Sequence, residues 1–189
     1  MNFEDLSTYR IPGHETFYVP DFVTKEEEEY LLRKISETPQ QRWKKLANRR
    51  LQLWGGEITS NILFSQPMPP VLNVYPDLIS RLRNIGIFAS SPHGAPNHII
   101  LNEYLPGQGI MPHEDGPAYH PVVATISLGS HSVFHYYQYN TADTSMDNPS
   151  LHSRERGRTI DPNPILSVVL ERRSLVISRG TMYTSHLHG

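Results

Sequence analysis

Asn102-Glu103-Tyr104-Leu105-Pro106-Gly107-Gln108-Gly109-Ile110-Met111-Pro112-His113-Glu114-Asp115-Gly116 runs from a β-rich segment, through a turn punctuated by proline and glycine, into a His-x-Asp pair. In an extended strand, residues two apart point to the same face. His113 and Asp115 therefore aim at one point, while Glu114 turns away. An imidazole and a carboxylate converging in this way make two thirds of the 2-His-1-carboxylate set that holds non-haem Fe(II) with open coordination positions. The missing histidine has two sources in Ser185-His186-Leu187-His188-Gly189. Extended, His186 and His188 share a face, so spacing alone does not separate them. A ligand returning on a distant strand suits a β-barrel or jelly roll.

The chain of 189 residues is long enough for one domain with a real core. A formal net charge of -2 gives no global attraction to nucleic acid or membrane, so an anionic partner must meet a local patch. Cysteine is absent, which excludes disulfides, thiolate zinc sites and a cysteine nucleophile. No apolar run approaches the roughly 20 residues of a membrane span. The opening Met1-Asn2-Phe3-Glu4-Asp5 lacks the basic and apolar regions of a signal peptide. The expectation is an intracellular soluble protein of the cytoplasm, the nucleus or both.

Working outward, residues 1–20 read as an irregular or extended arm. Thr24-Lys25-Glu26-Glu27 is a capping box, followed by the apolar stripe Tyr30, Leu31, Leu32 and Ile35, with Pro39 closing the helix. Pro76-Asp77 opens a second helix carrying Leu78, Ile79, Leu82 and Ile85 on one face, stopped at Gly86. Between the helices, Arg42-Trp43-Lys44-Lys45-Leu46-Ala47-Asn48-Arg49-Arg50 is a basic run that leads to Trp54. It reads more readily as a solvated basic turn entering a strand, with Trp43 and Trp54 in the core, than as a phosphate-contacting edge beside a stacking platform. Residues 58–70 read as loop. From Asn97 the period becomes that of strands: 98–104, 122–129 and 132–139, then a hairpin of 165–170 with 174–178 across Glu171-Arg172-Arg173, and a last element at 183–189. Asn140 to Asn163 reads as a long surface loop. The fold class is α+β, mainly β: a double-stranded β-helix, or jelly roll, with N-terminal packing helices.

Several linked signatures make the sequence resemble the AlkB branch of the Fe(II)/2-oxoglutarate dioxygenases, most closely its homologue-six subfamily. They are Asn102-x-Tyr104-x-Pro106-Gly107, Met111-Pro112-His113-x-Asp115-Gly116-Pro117, Ile126-Ser127-Leu128-Gly129-Ser130, Ser174-Leu175-Val176, and Arg179-Gly180-x-x-Tyr183-Thr184-x-x-Leu187-His188-Gly189. Tyr18-Val19-Pro20-Asp21-Phe22 and Trp54-Gly55-Gly56 fit as well. The resemblance implies that His113, Asp115 and His188 hold Fe(II), and it selects His188 over His186. It further implies that Asn102 and Tyr104 hold 2-oxoglutarate; in isolation Tyr104 reads as a core aromatic and Asn102 as a strand-end polar residue. His93, His120, His131 and His135 receive no role.

The same resemblance divides the single domain, 1–189, into an arm and helix (1–41), a substrate lid (42–66) and a jelly-roll core (97–189). Arg42, Trp43, Lys44, Lys45, Arg49, Arg50 and Trp54 are the lid residues, with Arg154, Arg156 and Arg158 as a second contact. Family members carry arginines for 2-oxoglutarate on strands beyond the distal histidine. The sequence stops at Gly189, so that arginine and the closing strands are expected to be missing, with a partner or an internal arginine as the substitute; Arg172, Arg173 and Arg179 are available, but the inferred strand order does not aim them at the site. The implied activity is oxidative demethylation of alkylated DNA or RNA, using O2 and releasing succinate, CO2 and formaldehyde. A protein substrate, or a catalytically impaired interaction module, is the alternative.

Overall fold

The structure, a computed structural model, describes residues 3–59, 62–140 and 158–189. In chain order the elements are α1 (Phe3–Ser7), β1 (Thr16–Val19), α2 (Lys25–Ser36), β2 (Lys44–Leu46), β3 (Arg49–Trp54), β4 (Gly56–Thr59) and β5 (Ile62–Ser65). Then follow α3 (Pro70–Asn73), α4 (Leu78–Ile85), β6 (Ile99–Glu103), β7 (Val122–Ile126), β8 (Ser132–Tyr137), β9 (Leu166–Leu170), β10 (Leu175–Arg179), α5 (Thr181–Thr184) and β11 (Leu187–His188).

The layers are organised by β10. Its neighbours are β1 and β7, both antiparallel, so it is central and its Leu175, Val176 and Ile177 are all buried. One face, Leu175 and Ile177, packs with Phe17, Val19, Leu31, Leu82 and Ile85, which places α2 and α4 on that side. The opposite face, Val176, packs with Tyr136, Val168 and Leu170 of a second sheet ordered β11-β8-β9. The two sheets are also tied by a buried 2.6 Å hydrogen bond between the Tyr136 hydroxyl and Ser178 Oγ. A third sheet, β2-β3-β6, and the hairpin β4-β5 lie before and beside these layers in the chain. The arrangement is the mainly antiparallel jelly roll with packing helices.

Both expected helices form by the expected local chemistry. At α2, the Glu27 backbone N–H donates to Thr24 Oγ1 (3.2 Å) and the Thr24 N–H to Glu27 Oε2 (2.8 Å), completing the capping box. At α4, Asp77 accepts from the Ser80 N–H (3.1 Å), and Gly86 ends the helix in the left-handed region, φ 84°.

Four readings of the sequence are corrected. The arm contains α1 and β1, and β1 is a buried strand held to β10 from Thr16↔Ser178 to Val19↔Leu175. The basic run is a hairpin of two strands, with Lys44↔Leu51 and Leu46↔Arg49 in register, rather than a turn. Residues 58–70 contain most of the β4-β5 hairpin, in which Ile58 pairs with Leu63, rather than loop alone; the surrounding Ser, Asn and Pro obscured that pairing. Finally, β9 and β10 are not hairpin partners. Arg173 N–H donates to Ser127 O (2.7 Å) and Ser127 N–H to Ser174 O (3.0 Å), which commits β10 to β7 and turns the chain from one sheet into the other. Of the expected loop at 140–163, residues 141–157 lie outside the described residues.

That corner is clamped from the N-terminal region. Arg172 pairs with Glu28 (2.7 Å) and Arg173 with Asp21 (2.6 Å). Glu28 has a fully buried side chain and also accepts the Gly129 N–H (2.8 Å). Burial acts to raise its pKa, but Arg172 and the Gly129 N–H outweigh it and hold the carboxyl below its ordinary value of 4.5. Glu27, bonded to Arg81 and the Thr24 N–H, is likewise lowered despite its burial. A carboxylate whose folded pKa is depressed contributes stability above its unfolded value, and that stability is lost as pH falls through the folded one. Urea unfolding is therefore expected to give a lower stability at about pH 3.5 than at about pH 7. Glu28→Ala is expected to cost about 3 kcal/mol at the higher pH and to flatten this difference.

Candidate metal centre

His113 and His188 are brought together by backbone pairing. They form an antiparallel bridge in which the His113 N–H donates to His188 O (3.0 Å) and the His188 N–H to His113 O (2.9 Å). Residues directly opposite in an antiparallel pair share a face, and the two rings lie 4.5 Å apart between centroids. Asp115, two residues beyond His113, joins them. Its Oδ1 is 3.8 Å from His113 Nε2 and 3.7 Å from His188 Nε2. One ligand atom from each of the three lies within 4.8 Å of the others, and this is the metal-competent cluster among the described residues.

The surroundings fix how these groups are presented. His113 Nδ1 lies 2.9 Å from the Met111 carbonyl; that oxygen can only accept, so Nδ1 carries the proton and Nε2 keeps its lone pair. The His188 ring stacks on Phe134 at 5.4 Å and 17°. Burial, helped by His113, pushes the His188 pKa below its ordinary value against the opposing pull of Asp115, so the ring is held neutral. The Tyr183 hydroxyl donates to Gly116 O (3.1 Å) and steadies the turn that follows Asp115. Burial, then the charge of Asp115 and Tyr119, pushes Tyr183 up to about 12, so it stays a protonated donor.

These residues fit a divalent cation. Asp115 Oδ2 is buried without a hydrogen-bond partner among the described residues, which is a costly state for a carboxylate oxygen unless a cation meets it. Two imidazoles and one carboxylate suit Fe(II) in particular, because three protein ligands leave positions open. His186 points elsewhere: its Nδ1 lies 2.8 Å from the Thr181 carbonyl.

Asn102 and Tyr104 sit at the end of β6, beside β3. The register Leu51↔Asn102 and Arg50↔Glu103 divides the side chains between two faces. Arg49 falls on the face of Asn102, and its Nε donates to Asn102 Oδ1 (3.1 Å). With Leu46, Ile110, Met111 and His113 it lines a cavity of about 420 Å³. Tyr104 is 41% exposed, which corrects the core-aromatic reading of that position in isolation. Sequence reasoning counted Arg49 only as one lid cation; the strand register is what distinguishes it from its neighbours.

The other lid residues separate. Arg50 is on the opposite face, paired bidentately with Glu103 and lying 4.0 Å over the Trp43 ring. Trp54 packs against the core and donates to Gln52 Oε1 (3.1 Å). Lys44 pairs with Glu57. Arg42 and Lys45 have no acidic partner among the described residues. Arg158 lies 3.8 Å over Tyr139 and 3.6 Å from Glu114, while Arg154 and Arg156 fall outside the described residues. Arg172 and Arg173 are held at the sheet-to-sheet corner by Glu28 and Asp21.

A jelly roll that gathers two imidazoles and a carboxylate at one point has the architecture of the mononuclear non-haem oxygenases. No protein-family model matches the chain. The probable RNA/DNA demethylase ALKBH6 of Danio rerio is 39% identical over 173 residues, spanning 92% of this chain and 68% of that protein. The tRNA (carboxymethyluridine(34)-5-O)-methyltransferase alkbh8 of Xenopus tropicalis is 28% identical over 193 residues, 98% of this chain but 26% of that protein. The solved structure of OsALKBH1 has the same fold, with a TM-score of 0.53 at 14% identity over 95% of this chain and 86% of that one. The chain belongs to the AlkB-type dioxygenase family. No helix among the described residues is long and apolar enough to cross a membrane.

The geometry separates the two terminal histidines experimentally. His188→Ala or Asp115→Ala is expected to weaken Mn(II) binding by more than the roughly 10–100-fold that follows loss of an outer partner of a metal ligand. His186→Ala should leave the affinity within about twofold. Isothermal titration with Mn(II) reads both outcomes.

Proposed function

We propose that the protein is an Fe(II)- and 2-oxoglutarate-dependent dioxygenase that oxidatively demethylates alkylated DNA or RNA. The carrying observation is the unpartnered, buried Asp115 Oδ2 beside the convergent Nε2 atoms of His113 and His188. Support for the substrate class comes from the Danio rerio relative, whose name gives it as a demethylase of RNA or DNA.

In this reading His113, Asp115 and His188 hold Fe(II), and Asn102 and Tyr104 bind 2-oxoglutarate. Bound there, Fe(II) and 2-oxoglutarate would supply, with O2 as the oxidant, the chemistry that removes an N-methyl group as formaldehyde, with succinate and CO2 as co-products. The protein's share is placement. Met111 O fixes the His113 tautomer, Phe134 fixes the plane of His188, and Tyr183 steadies the turn after Asp115. Leu46, Asn48, Ile110 and Met111 line the approach to His113, with Leu46 and Met111 exposed at its mouth. A target base in duplex has to leave the stack to enter it. Within the lid hairpin Lys44 and Arg50 are paired with Glu57 and Glu103, which lowers the charge it offers to nucleic acid.

The reading is tested first by anaerobic titration with Fe(II) and 2-oxoglutarate, following the weak visible band of the chelate. A saturable band that is lost in His188→Ala supports a dioxygenase, and its absence in the unmodified chain overturns it. Formaldehyde release from methylated single-stranded oligonucleotides, with none from methylated peptides, supports the substrate class; the reverse pattern moves the assignment to proteins. Because Arg42, Lys45 and Arg49 are the lid cations without an acidic partner among the described residues, the lid is expected to add a log–log salt slope of oligonucleotide affinity no steeper than about −2.

A further inference from the structure

We infer that the groove between α2, β3 and α3 docks an extended segment of a partner protein, one that brings an aliphatic side chain, a backbone carbonyl and a neighbouring carboxylate. The groove has a volume of about 410 Å³. It is separate from the metal centre. Gln52 and Trp54, which line it, alternate along β3 with Arg49, which lines the cavity at His113. The docking surface is thus independent of the dioxygenase chemistry.

What the groove lacks is an acceptor. Gln52 is 1% exposed, and its Oε1 accepts the Trp54 indole N–H (3.1 Å). An indole nitrogen only donates, so the orientation of the amide is fixed and Nε2 carries its two hydrogens. That Nε2 is buried with no hydrogen-bond partner among the described residues. Such a donor is costly, and a backbone carbonyl entering the groove relieves it. Pro39, Pro69, Pro70 and Val71 supply apolar walls that suit an aliphatic or prolyl side chain. Beyond them Val74 and Tyr75 are 71% and 48% exposed, and the Tyr75 ring meets that of Tyr30 at 5.1 Å. The apolar surface therefore continues past the groove, as an extended partner requires.

The aromatic rings and the charges favour a peptide over a nucleic acid. A base needs an open ring face on which to stack. The Tyr30 ring is already engaged by Tyr75 and by Arg33 and Lys34, which lie 5.5 and 5.9 Å from its centroid. Trp54 packs against the core. Of the two cations that line the groove, Lys34 is paired with Glu37 (2.7 Å), whereas Arg42 has no acidic partner among the described residues. No acidic side chain lines the groove. One uncommitted guanidinium suits one carboxylate rather than a run of phosphates.

The test is proton–nitrogen correlation spectroscopy of the full chain, titrated with blocked hexapeptides in which leucine, valine or proline precedes or follows aspartate, and with the same set carrying asparagine instead. The expected result is saturable movement of the Gln52 side-chain amide and Trp54 indole resonances, with the Gly109 and Gly116 amides near His113 and Asp115 unmoved. Gln52→Met is expected to weaken the peptides about tenfold. Arg42→Met, at an exposed position, is expected to weaken the aspartate set about threefold and to leave the asparagine set unchanged. Thermal unfolding checks that both variants are folded. Asp115→Ala is expected to leave peptide affinity within about twofold, so the docking site and the dioxygenase reading fail separately. No movement with any peptide overturns the docking site, and so does equal affinity for the aspartate and asparagine sets. Movement of the same two resonances by single-stranded oligothymidylate, with none by the peptides, overturns it as well and gives the groove to nucleic acid.

Discussion

Two reciprocal backbone hydrogen bonds, between His113 and His188, are the constraint on which the site depends. They join two parts of the chain that lie far apart in sequence and set both imidazoles on one face before any side-chain contact is made. The same short strand is gripped on its other side, where Gly189 and His135 exchange N–H···O bonds of 3.1 and 2.9 Å. Leu187 to Gly189 thus threads between β8 and the His113 segment. The threading is tight: a Cβ on Gly189 would come within 2.9 Å of Ile110 O and Pro112 N. Only a residue without a side chain lets the backbone of His188 approach the strand it must pair with.

The alternation of a β-strand does comparable sorting at β3. Arg49 and Arg50 are chemically the same and adjacent, yet the register with β6 sends one toward Asn102 and the other onto Glu103 and Trp43. One guanidinium is spent on holding β3 to β6 and covering an indole. The other faces a cavity without a counter-charge. Two adjacent members of the basic run therefore divide into a structural residue and a cavity-facing one, and the division follows from a period of two.

What the sequence revealed depended on whether the controlling interactions were local. The capping box at Thr24 and Glu27 and the Asp77–Gly86 helix are set by neighbours within one or two turns, and both were readable. The shared direction of His113 and Asp115 was readable for the same reason, since spacing alone dictates it. The mainly β class followed from the strand-period runs after Asn97, and the AlkB-type likeness from linked motifs. By contrast, β1 is short and lies near Pro12 and Pro20, and what makes it a strand is a partner at 175–178. The corner at 171–174 looked like a hairpin turn because Ser174 Oγ and the Glu171 carbonyl do close a tight turn (2.7 Å). Only the distant Ser127 decides that the turn leads into another sheet. Between His186 and His188, likewise, spacing offered no choice; the backbone bridge to His113 separates their positions.

The pairing of β1 with β10 has a consequence for how the molecule is made. Thr16 to Val19 leave the ribosome long before their partners, Leu175 to Ser178. Until then Phe17 and Val19 have no sheet to join, and Glu28, destined for a dry position against Arg172, remains in water. The helices α2 and α4 can form early, but the face they cover is completed only when β10 arrives between β1 and β7. Such long sequence separation makes folding slow and leaves apolar strands exposed during synthesis. Assembly of the layered core therefore waits for β10, the strand that joins β1 to β7 and gives the earlier elements their place.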